Sequence, residues 1–195
     1  IRSFPSALEH TNRLLMESAE IPPGARVLDA GCGVGGAAFF LSNERDAKVT
    51  GITLSERQAR FAEQNRQLHK DDNVDFRLMD YTGTDFDDGT FDTVWACESV
   101  SSAQKKRDFI KEAFRILKNS GRLVMSDFFI AEEEQSDPRS WMRKWANTWS
   151  ISSFVTAEHF REQLENEGFS NVKLFDYTEG IKRTVSRMYR AALLG

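Results

Sequence analysis

The sequence predicts an α/β fold: a mostly parallel seven-stranded sheet, helices on both faces, and an antiparallel strand at the C-terminus. Three observations predict it. Short apolar runs alternate along the chain with stretches of helical spacing. A glycine-rich loop, Gly31 to Gly36, lies where the first strand should give way to a helix. The last two strand-like stretches, 170–177 and 185–193, are separated only by a short turn around Gly180, so they should pair as a hairpin.

The elements follow in order. Leu8, Leu14, Leu15 and Ala19 give residues 5–20 an apolar helical stripe, which Pro22-Pro23-Gly24 ends. Residues 26–30 are a short buried strand, followed by a small-residue helix at 35–44. A second strand is expected at 47–53, and Ser55 is placed to cap a helix at 56–69. Residues 73–79 and 90–97 make the third and fourth strands. A helix at 104–118 stops at Asn119-Ser120-Gly121, and 122–129 is the fifth strand. Asp137-Pro138 should open a helix running to about 149. A last helix runs from Thr156 to Gly168.

Composition narrows the function. A chain of 195 residues, 40% hydrophobic and 29% charged, suits one folded domain, here 1–195 with 130–155 as an insertion over the substrate. Net charge is -4, so a nucleic-acid partner is not expected. No apolar run approaches a membrane span and no leader pattern opens the chain. Cys32 and Cys97 lie in apolar contexts and read as reduced thiols, which points to the cytoplasm. Histidines and cysteines are scattered, so no metal site is expected. The chain opens on Ile1 and not on methionine, which suggests a missing N-terminal segment. Oligomeric state is left open.

The loop Asp29-Ala30-Gly31-Cys32-Gly33-Val34-Gly35-Gly36 permits a tight turn and close approach of a ligand to the backbone. Its glycines also satisfy the dinucleotide fingerprint, so a nicotinamide-dependent oxidoreductase is one reading. Two features oppose it. Asp29 stands at the strand end, where a carboxylate suits a cationic ligand. Thr53 stands where a dinucleotide fold wants an acidic residue.

The run Val27-Leu28-Asp29-Ala30-Gly31-Cys32-Gly33-Val34-Gly35 resembles the first motif of the class I methyltransferases, whose fold is Rossmann-like. Gly51-Ile52-Thr53-Leu54-Ser55-Glu56-Arg57-Gln58 is similar to a second motif found in their sterol, tocopherol and small-metabolite branch. Asp80-Tyr81, 88–95 and 114–123 resemble three later motifs in the same order. The resemblance implies S-adenosyl-L-methionine as cofactor and methyl transfer to carbon, nitrogen or oxygen of a small-molecule acceptor. It implies that Asp29, Gly31, Gly33 and Gly35 face the methionine end. Thr53 and Gln58 would meet the ribose, with Glu56 an alternative for that contact and Leu54 a further cofactor-binding candidate. Asp80 would meet the adenine with Tyr81 beside it, and Ala96 is a further cofactor-binding candidate. A non-catalytic cofactor-binding relative remains a further reading.

Ligands of open α/β sheets bind beyond the carboxyl ends of the strands. Acceptor contacts are therefore expected after the fourth and fifth strands, at Ser101 and Phe128, and on the cover at Trp145. Relatives often carry histidine at the places of Ser101 and Ser102, so a histidine base is not expected here. Glu98 and Asp127 are the candidate catalytic carboxylates, to orient the acceptor or take its proton. Trp141, Trp145 and Trp149 recur every four residues and form one stripe, either packed on the domain or walling the acceptor.

Overall fold

A computed structural model describes residues 4–194. Helix α1 (Phe4–Ser18) precedes β1 (Arg26–Ala30), α2 (Gly36–Arg45), β2 (Lys48–Thr53), α3 (Glu56–His69) and β3 (Val74–Leu78). Then come β4 (Phe91–Cys97), a 3-10 turn at Val100–Ser102, α4 (Lys106–Ile116) and β5 (Leu117–Ser126). Helices α5 (Trp141–Thr148), α6 (Ala157–Glu167) and α7 (Thr178–Leu194) complete the described residues.

The sheet is parallel throughout, in the order β3-β2-β1-β4-β5. Period-two alternation sends successive side chains to opposite faces. Val27 and Trp95 join Met16, Ala38 and Leu41 under α1 and α2. Leu28, Val94 and Ala96 join Phe109, Ile110, Ala113, Phe160 and Leu164 under α4 and α6. Both faces are thereby covered, as expected.

The C-terminal hairpin is corrected. The described residues hold five strands and not seven, and none is antiparallel. In 170–177 Val172 packs against the core but Leu174, Phe175 and Tyr177 are all exposed, so neither parity offers a continuous buried face to fix a register. Residues 178–194 are helical. Ile181, Val185 and Met188 follow a helical spacing in the sequence. Asp176 Oδ1 accepts from Thr178 N at 2.8 Å, and Glu179 and Lys182 pair one turn apart.

Two smaller departures have local causes. Residues 119–121 do not end α4, which stops at Ile116, but bulge β5, which already begins at Leu117: Phe91 pairs Leu117, and the next partners are Thr93 and Arg122. Helix α5 begins at Trp141 because Asp137–Ser140 form a turn first, Ser140 N bonding Asp137 O at 2.9 Å. Asp137 still caps the helix by accepting from Arg143 N at 3.2 Å. The ends of the 130–155 segment are tied together. Ile130 N donates to Val155 O at 3.1 Å, and Ile130 bridges Thr156.

Glu112 anchors the connection from β3 to β4. Its Oε1 accepts from Thr84 N (2.8 Å), Thr84 Oγ1 (2.5 Å) and Arg115 Nη2 (2.6 Å). Its Oε2 accepts from Arg115 Nε at 3.0 Å, and Glu112 is buried, so removing the carboxylate strands four donors at once. Glu112→Ala is expected to cost about 2–3 kcal/mol of stability, read as a lower thermal midpoint.

Candidate active site

The chain leaves β1 toward β2 and β3 on one side, then returns through β4 and β5 on the other. The crevice at the carboxyl ends of β1 and β4 is thus the topological switch point. Two loops flank it: 31–35 after β1, and 98–103 after β4.

The glycine loop is shaped by its backbone. Gly31, Gly33 and Gly35 have φ of 89°, 57° and 89°, the left-handed region that L side chains rarely adopt. A Cβ on Gly31 would lie 2.4 Å from Ser99 Cβ, so the loops touch there. A Cβ on Gly33 or Gly36 would meet nothing within 4 Å, so the loop is open on its other side.

Asp29 stands beneath this cradle, 2% exposed. Its Oδ2 is buried without a hydrogen-bond partner among the described residues. Burial pushes its carboxyl up to about 7. Asp29 lies two residues before Gly31, and an unpaired buried acceptor there is an incomplete site that a cationic group would complete. The positive amino acid end of S-adenosyl-L-methionine fits this donor-poor spot.

The ribose and adenine candidates lie at the ends of β2 and β3. Thr53 Oγ1 donates to Gln58 Oε1 at 2.8 Å and accepts from Ser55 N at 3.2 Å. Ser55 caps α3 by accepting from Gln58 N. The Gln58 side-chain Nε2 has no hydrogen-bond partner among the described residues, so it is placed to donate. Leu54 is 66% exposed at the rim. Asp80 Oδ1 accepts from Thr82 N (2.8 Å) and Thr82 Oγ1 (2.7 Å), which leaves Oδ2 as an acceptor. Ala96 is buried in the core, at 1% exposure, and presents no surface to the crevice.

Tyr81 has a role that its place in the motif did not reveal. Its hydroxyl donates to Ser99 O at 2.8 Å, and burial pushes its pKa up to about 12. Ser99 Oγ donates to Ala30 O at 2.6 Å. Tyr81 and Ser99 therefore link the end of β3, the end of β1 and the loop after β4.

Of the two candidate carboxylates, Asp127 is fully engaged. Its Oδ2 accepts from Ser101 N and its Oδ1 from Phe128 N, both at 2.8 Å. It ties the loops after β4 and β5 together. Glu98 has an unusual backbone, φ 51°, and its amide donates to Ser126 O at 2.7 Å. Its side chain has no hydrogen bond among the described residues. Burial, and then the charge of Asp127, raise its pKa. It is the carboxylate left available to an acceptor.

Phe128 and Trp145 come together. Their rings meet edge to face at 5.0 Å, and Trp145 stacks on Phe154 at 5.9 Å. Trp141 and Trp149 are 62% and 59% exposed, so of the stripe only Trp145 is packed. Ser101 is buried, and its backbone is held by Asp127 on one side and Lys106 on the other. Lys106 and Phe154 escaped the sequence reading. Lys106 sits in Gln104-Lys105-Lys106-Arg107-Asp108, which reads as a solvated run.

The glycine cradle, the acidic strand end and the switch-point crevice are features of an α/β domain with a ligand site at the carboxyl ends of its strands. A methyltransferase-domain family model matches residues 21–179, and the chain belongs to that family. It is 36% identical over 152 residues to the 2-methyl-6-phytyl-1,4-hydroquinone methyltransferase of Synechocystis sp., covering 76% of this chain and 47% of that one. Among solved structures it is similar to the geranyl diphosphate C-methyltransferase of Streptomyces coelicolor, with TM-score 0.73 and 25% identity over 81% of this chain and 59% of that one. It is also similar to the [4+2]-cyclase SpnF, with TM-score 0.76 and 26% identity over 88% and 61% of the two chains. The chain spans between about a third and two thirds of the length of curated relatives it matches.

Proposed function

We propose that this chain binds S-adenosyl-L-methionine between β1 and β4 and that the protein transfers its methyl group to an apolar small molecule bearing an isoprenoid chain. The observation that carries the cofactor reading is the orphaned Asp29 Oδ2 beneath an open glycine cradle. The acceptor reading rests on the Phe128–Trp145–Phe154 wall and on relatives named for phytyl and geranyl substrates. Residues 1–195 act as one domain, with 130–155 as the acceptor cover. No described helix is long and apolar enough to cross a membrane, and Cys32 and Cys97 are free thiols, which agrees with a cytoplasmic setting.

When bound, the cofactor supplies an activated methyl group on a sulfonium. The chain's own task is then to position and to shield. Asp29 holds the cationic end, while Gln58 and Asp80 Oδ2 hold the ribose and adenine. Phe128, Trp145 and Phe154 offer an apolar aromatic surface to the isoprenoid chain and exclude water. Glu98 orients the acceptor or accepts its proton.

Calorimetric titration with S-adenosylhomocysteine, with NAD in parallel, tests the cofactor reading. One-to-one binding of the first alone is expected; binding of NAD alone overturns it. SpnF is named for a cyclisation, so transfer is tested separately with methyl-labelled cofactor and a prenylated hydroquinone. Glu98→Gln should leave S-adenosylhomocysteine affinity unchanged and lower kcat about a hundredfold. In wild type, kcat should rise with pH through the raised pKa of Glu98, because the ionised form is the active one. Loss of that limb in Glu98→Gln is the check.

A further inference from the structure

Lys106 is a charged residue in an expensive place. It is only 7% exposed, and burial lowers its pKa. It is also the first residue of α4, where the helix dipole disfavours a cation. Neither feature helps the fold, so the cost calls for a compensating role.

Its contacts supply one. The ammonium donates to Ser101 O at 2.7 Å, to Ala103 O at 2.8 Å and to Ser152 Oγ at 3.4 Å. Three donors meet three acceptors, so its capacity is filled. Ser152 Oγ also donates to Ala103 O, closing a triangle. Ser101 and Ala103 belong to the loop after β4, and Ser152 belongs to the cover, next to buried Ile151 and two residues before Phe154 of the aromatic wall. Ser101 N is held in turn by Asp127. One buried charge therefore gathers the acceptor loop and the cover into a single arrangement, and touches none of the cofactor candidates.

We propose that Lys106 is a positioning residue that locks the cover segment 151–154 onto the acceptor loop 98–103, so that acceptor recognition depends on it and cofactor binding does not. The inference deepens the methyl-transfer reading for its kinetic consequence, but the structural lock stands apart from that reading. Deleting the ammonium leaves the buried Ser101 carbonyl without its donor and leaves the cover tied to the loop by the Ser152 Oγ–Ala103 O bond alone.

The test compares wild type with Lys106→Met, Lys106→Arg and Ser152→Ala by amide hydrogen exchange and by calorimetry with S-adenosylhomocysteine. Lys106→Met should speed exchange in both 99–103 and 151–154 by about tenfold or more, with cofactor-product affinity within about twofold. Ser152→Ala should loosen 151–154 alone. The double variant should be no looser in that segment than Lys106→Met, because the two residues act as one unit. Lys106→Arg keeps the charge and should recover part of the protection. With 2-methyl-6-phytyl-1,4-hydroquinone as probe, KM should rise about tenfold in Lys106→Met and kcat should change less. Unchanged exchange in both segments overturns the proposal. So does loosening spread over the whole chain with loss of S-adenosylhomocysteine binding. If Lys106→Met fails to fold, Ser152→Ala and Lys106→Arg decide it by the same two segments. Failure of wild type to methylate the hydroquinone would remove the acceptor reading and leave the exchange result to stand or fall alone.

Discussion

Gly31→Ala is expected to abolish measurable S-adenosylhomocysteine binding and to lower the thermal midpoint by many degrees. Gly31 has φ 89°, which costs an L side chain about 1–2 kcal/mol. Its added Cβ would fall 2.4 Å from Ser99 Cβ and 3.1 Å from Ser99 Oγ. Ser99 is poorly placed to retreat, being buried, bonded to Ala30 O and accepting from Tyr81. Overpacking of a braced site adds about 1–3 kcal/mol. The two loops must then separate, and the separation opens the crevice that shapes the ligand site. Gly33→Ala is the control. Its φ is 57°, but its Cβ meets nothing within 4 Å. It should lose only about 1 kcal/mol of stability for the strained backbone, while its methyl group narrows the open cradle and weakens binding. Calorimetry and thermal melts on both variants separate the effects. A Gly31→Ala protein that melts and binds like wild type would show that the two loops are not in contact.

Asp29→Asn should make the unliganded protein more stable at pH 8 and its S-adenosylhomocysteine binding at least about thirtyfold weaker. Burial raises the Asp29 carboxyl from 3.8 to about 7. Below about pH 4 the folded and unfolded states both hold the proton, and the group contributes nothing. Above about pH 7 both have lost it, and the fold bears the full cost of a buried charge. Stability of the unliganded protein should therefore fall as pH rises between these values, with a slope of at most roughly 1.4 kcal/mol for each pH step of one. Asparagine removes that slope. A cationic ligand group beside Asp29 favours the ionised carboxylate again, so binding near pH 6.5 should release a proton. Titrations in two buffers of different ionisation enthalpy measure that proton directly. Binding without proton release, together with wild-type affinity in Asp29→Asn, would remove Asp29 from the ligand site.

The part of the site that was legible is the part written in contiguous residues. The glycine loop needs left-handed backbone at three positions two residues apart, and only glycine supplies that without strain, so the requirement shows in the sequence. Asp29 and Asp80 are fixed at strand ends by the strand pattern itself. Phe128 and Trp145 were legible because the element order puts both beyond the same edge of the sheet. Ala96 was misleading for the same reason in reverse: position along β4 is readable, but which side of the strand faces the crevice is not. The C-terminal strands were misread because 170–177 alternates in sequence without having a continuous buried face in space.

What the sequence determined by itself is the α/β order, the parallel core, the glycine cradle and the acidic strand end that opens onto it. These follow from periodicity and backbone sterics, which act over a few residues. Only the tertiary structure decided that Asp127 spends both oxygens on backbone amides, that Tyr81 braces Ser99, and that Lys106 is buried and not solvated. Each of these depends on a partner between 18 and 46 residues away, met around one crevice. Hydrogen-bond partners at such separations leave no period in the chain, because their identity is set by where the strands end and not by what lies beside them.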